Sequence, residues 1–135
     1  MTMEKAEIGQ SARLTFRTVR RESGGEIAGV TVSVALEGLS AQREVYLYTS
    51  ADLREFFNGL AENWRGWDGA RTYESIEGDL LLEATHTGSH VKLHFTLQDP
   101  FSPEEWRVSG TVTLDAGEEL SRASEDVQAL FTARR

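Results

Sequence analysis

The stretch Leu80–Leu97, LLLEATHTGSHVKLHFTL, holds the three histidines of the chain and decides how the rest is read. In its second half Val91, Leu93, Phe95 and Leu97 alternate with His90, Lys92, His94 and Thr96. A period of two is the mark of a half-buried strand. In its first half Leu80, Leu82 and Ala84 alternate with Leu81, Glu83 and Thr85, and Thr87-Gly88 supplies a turn. A two-residue loop there sets Glu83 opposite Lys92 and Leu82 opposite Leu93, a charge pair and an apolar pair. The strand reading also decides the metal question. His86, His90 and His94 recur every four residues. On a helix that spacing is about 6 Å and suits a shared ion, whereas on a strand it is about 13 Å. A three-histidine metal site is therefore not expected.

Moving outward, the alternation recurs. Leu14 and Phe16 share one parity, and Val30, Val32, Val34 and Leu36 another run. Glu22-Ser23-Gly24-Gly25 and Gly38 mark turns. Arg43–Thr49 reads as a third strand, with Val45 and Leu47 on one face and Tyr46 and Tyr48 on the other. The period then changes. Leu53, Phe56, Phe57, Leu60, Ala61 and Trp64 form one helical stripe, which places Trp64 in the core. Thr49 or Ser50 can cap the helix and Gly66 can stop it. A short strand over 71–76 and a last one through Trp106, Val108, Val112 and Leu114 follow. Asp115 and Glu118 read as a capping box before a second stripe, Leu120, Ala123, Val127, Leu130 and Phe131.

These segments predict an α+β fold: a single antiparallel, curved sheet of about seven strands, with two helices packed on one face, in the order βββαββββα. Seven strands at ~4.8 Å span roughly 30 Å, and two helices cover about 20 Å of that. Part of the apolar side needs another cover. Curvature, the proline-bearing loop 98–105 or a second copy of the chain can each supply it.

Composition sets the outer limits. The 135 residues contain no cysteine and carry a formal charge of −8. That length suits one globular domain over 1–135, with residues 1–10 expected as a loosely attached N-terminus. Without cysteine there is no thiol nucleophile, disulfide frame or Cys-ligated zinc. No run approaches 18 apolar residues and no secretory leader is legible, so no membrane role and a cytoplasmic location are expected. Residues 1–21 hold five basic and two acidic side chains, and the rest nine and twenty. An acidic surface repels phosphate backbones, so no nucleic-acid partner is expected. Arg17, Arg20 and Arg21 read as a solvated strand end.

No phosphate-binding glycine loop, HExxH or GxSxG motif occurs, and nothing implies a cofactor. Glu74, Glu77, Asp79 and Glu83 cluster, but Glu77-Gly78-Asp79 reads as a turn that leaves its carboxylates in water. The most unusual text is Trp64-Arg65-Gly66-Trp67-Asp68-Gly69. Trp67 can be a stacking wall for a flat ligand, an interface anchor, or part of a helix-ending corner with glycines at positive φ. Together with Tyr73, Ser75, Glu77 and Gly88-Ser89-His90-Val91, this corner resembles an uncharacterised bacterial domain family common in GC-rich species. The resemblance implies no activity and brings no catalytic residue. In size and acidity the chain is also similar to immunity proteins of bacterial toxin systems.

By parity, the sheet face away from the helices gathers tyrosine, histidine, arginine and small hydroxyl residues, the mixture that recognition surfaces use. Tyr46, Tyr48, Trp67, His90 and His94 are its candidate binding residues, with no catalytic residue assigned. The leading expectation is a non-catalytic interaction module, immunity-like, that binds a protein partner through this face; a homodimer that closes the under-covered apolar side of the sheet is a further reading. The alternative is a small-molecule-binding or enzymatic domain with a concave pocket near Trp67.

Overall fold

Alternation of apolar and polar side chains builds eight strands among the described residues, rather than seven. The computed structural model describes residues 5–21 and 27–132, the side chains of 18–21 and 27 excepted. In order these form β1 (Lys5–Gly9), β2 (Arg13–Arg21), β3 (Ile27–Leu36), β4 (Leu39–Tyr46), α1 (Ala51–Glu62), β5 (Ala70–Glu74), β6 (Leu80–His86), β7 (His90–Asp99), β8 (Trp106–Asp115) and α2 (Glu118–Thr132). The turn expected at 22–25 lies outside the described residues.

The strands divide into two antiparallel sheets of four, β1-β2-β3-β4 and β5-β6-β7-β8. The expectation of a single sheet is therefore corrected. Periodicity says which face of a strand is wet, but it does not say which sheet the strand joins. The uncovered apolar side has a simple answer: the apolar residues of both sheets and both helices form one buried core. Phe57 of α1 meets Phe16 of β2 edge-on at 6.0 Å, and Phe56 meets Tyr73 of β5 at 6.1 Å. Helix α2 packs on α1, on β1 and β2, and on β8. Each helix thus touches both sheets. Two glycines lie at close approaches between the sheets. A Cβ on Gly110 would sit 2.9 Å from Leu36 Cδ1. One on Gly9, whose φ is +97°, would collide with the Ala12 carbonyl and lie 2.6 Å from Val112 Cγ1.

The missed strand is β1. Lys5–Gly9, expected to be loosely attached, pairs with β2 and buries Ala6 and Ile8 completely. Two apolar positions in five residues give too short an alternation to register. The β6–β7 hairpin is also corrected. Its tip is Gly88-Ser89, closed by Thr87 N–H to the His90 carbonyl at 2.8 Å. Glu83 therefore faces His94, and Leu82 faces Phe95. A slip of two residues keeps every side chain on its face, so apolar matching cannot distinguish the two registers.

Helix ends follow local chemistry. The Ala51 N–H donates to Thr49 Oγ1 at 3.2 Å, while Ser50 Oγ accepts from Arg54 Nε at 3.1 Å. Asn63 closes α1 by donating its side-chain amide to the Gly59 carbonyl at 2.8 Å. The apolar stripe stops there, so Trp64 is 46% exposed and not a core residue. At α2 the box is formed by Asp115 with Glu119, one residue later than expected. Glu119 Oε1 accepts from Asp115 N–H at 2.7 Å, and Asp115 Oδ1 accepts from Glu119 N–H at 3.2 Å.

Candidate functional site

The register of the second sheet lines up four polar side chains on its outer face. Thr72 faces Glu83, Glu83 faces His94, and His94 faces Thr111. Four strands ~4.8 Å apart make this row about 15 Å long. Ala70, Thr85, Lys92 and Thr113 form the row on one side, and Glu74, Leu81, Thr96 and Ser109 the row on the other. An open groove of about 370 Å³ runs over the β5–β7 part of this face, lined by Thr72, Glu74, Leu81, Glu83, His94 and Thr96 among others. The His94 Nδ1 lies 3.2 Å from Thr111 Oγ1. That hydrogen bond orients the imidazole toward β8, away from the carboxylate of Glu83. Glu83 and His94 are both exposed, and no three histidine, aspartate or glutamate side chains converge to hold a metal among the described residues.

Tyr73 borders the groove and is 9% exposed. Burial, and secondarily the carboxylates of Asp52 and Asp79, push its hydroxyl up to about 12. An unfolded tyrosine ionises near 10. Tyr73 therefore contributes stability that is complete below pH ~10 and is lost as pH rises toward ~12. Two pH units correspond to about 2–3 kcal/mol. Urea unfolding at pH ~9 and pH ~11.5 is expected to show a steeper alkaline loss for the wild type than for Tyr73→Phe; equal losses would refute the assignment.

The five residues chosen from sequence fall in three places. Tyr46 ends β4 in the first sheet, opposite Gly29, and Tyr48 lies just beyond it. His90 and His94 lie on β7 of the second sheet. The tyrosines and histidines therefore share no single sheet face, a direct result of the division into two sheets. Tyr48 is 68% exposed and has φ +63°, a backbone conformation rare for a bulky residue. His90 is exposed at the start of β7, with Nδ1 3.0 Å from Ser89 Oγ.

Trp67 belongs to the corner. Its Nε1–H donates to the Ala84 carbonyl at 3.2 Å, its ring meets His86 edge-on at 5.2 Å, and the Arg71 guanidinium lies 5.1 Å over it. His86 locks the corner from the other side. Its Nδ1 accepts from Gly88 N–H at 3.0 Å, so its Nε2 carries the proton donated to the Trp64 carbonyl at 2.7 Å. The histidine nearest the corner thus has its neutral tautomer fixed by two backbone groups, and it staples the W-x-G-W-x-G segment to the tip of the β6–β7 hairpin.

One buried polar constellation escaped the sequence reading. Asp79, expected in water, is fully buried. It accepts from Arg43 Nε at 2.9 Å and from the Ser75 hydroxyl at 2.6 Å, while Arg43 Nη1 reaches Asp99 at 3.2 Å. The signal was present: Arg43 shares its parity with Val45 and Leu47, so a cation stood on the core face of β4. Its position foretold a buried counter-ion.

No helix among the described residues is long and apolar enough to cross a membrane. The chain has no significant match among curated proteins. A family of unknown function, DUF6228, matches residues 5–134, and with nearly its whole length covered the chain belongs to that family.

Proposed function

We propose that this protein is a non-catalytic recognition module that binds a protein partner across the outer face of its second sheet. The observation that carries the reading is the cross-strand row Thr72–Glu83–His94–Thr111 on an open, hydroxyl-rich surface. The groove over it is open and lined by hydroxyl side chains, two glutamates and His94, a polar mixture of the kind that rims of protein interfaces carry. Its imidazole lies 3.2 Å from the Thr111 hydroxyl, and the two present paired donors and acceptors to whatever covers the face. The absence of cysteine and the acidic balance support a cytoplasmic bacterial module of the inhibitor or immunity type. The test is native purification of the protein with its partner, followed by calorimetry on the isolated pair. Thr111→Arg and His94→Glu are expected to weaken binding by about tenfold or more each without changing the melting temperature. Wild-type affinity in both variants, or the lack of any stoichiometric partner, would refute the reading.

A further inference from the structure

Both connections at one end of the second sheet leave a large apolar side chain in water. Ile76, in the β5–β6 turn, is 62% exposed, and Phe101, in the β7–β8 loop, is 66% exposed. The register brings the two loops side by side, because Leu80 faces Leu97 and Asp99 faces Trp106. Gln98 ties them directly: its N–H donates to the Asp79 carbonyl at 3.0 Å and its side-chain amide to the Gly78 carbonyl at 2.8 Å. Single exposed apolar residues are ordinary. These two differ in being held by a brace anchored in the other sheet. Arg43 of β4 bonds Asp79 in the first loop and Asp99 at the root of the second. Asp99 Oδ1 in turn accepts from the N–H groups of Phe101 and Ser102, at 3.1 and 3.2 Å. Loops fixed in advance lose little freedom on binding.

Charge narrows the partner. Residues 74–79 and 99–105 contain Glu74, Glu77, Asp79, Asp99, Glu104 and Glu105, and no lysine or arginine. Arg43 is engaged with the two aspartates, and all four glutamates are exposed. Arg107, exposed, donates its Nε–H to Gln98 Oε1 at 3.0 Å, so four exposed glutamates outnumber one exposed cation around the apolar pair and the excess charge is negative.

We propose that this end of the sheet is a docking tip, in which Ile76 and Phe101 insert into an apolar recess of a protein partner bordered by lysine and arginine. A second copy would bring like charges together, and anionic lipid or nucleic acid would be repelled. The surface is distinct from the sheet face proposed above and stands without it. The test places a photo-crosslinking phenylalanine analogue in place of Phe101 in the full chain and identifies the adduct. The expected adduct is with one protein, through a segment rich in lysine and arginine. Calorimetry on that purified pair should show Ile76→Ser with Phe101→Ser weakening binding about 30-fold or more, at an unchanged melting temperature. Raising salt from about 50 to about 300 mM should weaken wild-type binding several-fold. Glu125→Gln, on the exposed side of α2, should leave it unchanged. No adduct, an adduct with a second copy or with an acidic segment, wild-type affinity in the double variant, or an equal loss in Glu125→Gln would each overturn the proposal.

Discussion

Arg43→Ala is expected to lower unfolding stability by about 3–5 kcal/mol, measured by urea denaturation near neutral pH. The effect comes from what the substitution leaves behind. Asp79 is fully buried, and its remaining partner is the Ser75 hydroxyl. A buried carboxylate deprived of its cation loses the attraction that offset its dehydration. Combining Arg43→Met with Asp79→Asn should recover most of the loss, because the pair is then removed together rather than split. If the single and double variants were equally destabilised, the arginine would be acting through packing alone. A double-mutant cycle gives the coupling directly.

The second large effect is expected at Phe57. This ring is fully buried between Phe16 of β2 at 6.0 Å and Phe56 of the same helix at 5.3 Å. Phe57→Ala should lower stability by about 3–5 kcal/mol, the range for a phenylalanine removed from a close-packed interior. Phe57→Leu should cost less than half of that, because most of the volume remains. Equal losses in both variants would point to the edge-on aromatic contacts rather than to the cavity.

How much was legible in the sequence can be traced residue by residue. The outward parity of Glu83, Lys92 and His94 was readable, because each is flanked by residues that must be buried. The helices were readable from Leu53–Leu60 and Leu120–Leu130, whose stripes are long enough to exclude a period of two. The sheet division was not. Tyr46 and His94 have equivalent parities in their own strands, yet they face outward from different sheets. Nothing local to a strand encodes its partner across a helix and a corner. Asp79 was misplaced for a related reason. A turn carboxylate is ordinarily wet, and only an arginine 36 positions earlier, in the other sheet, makes its burial tolerable. Trp67 was left between a corner and a ligand wall, and its companion was not legible, since the ring of His86 reaches it from the end of β6.

Each sheet is made from one unbroken stretch of chain, β1 to β4 and then β5 to β8, by hairpins between sequence neighbours. Such ladders close short loops and can zip early. Neither half, however, can dry its own greasy side: α1 follows the first ladder yet stacks on Tyr73 of the second, and α2 follows the second yet lies on β1 and β2. The slow event in folding should then be the mating of two preassembled meanders, and on heating they should come apart as one calorimetric unit rather than in sequence.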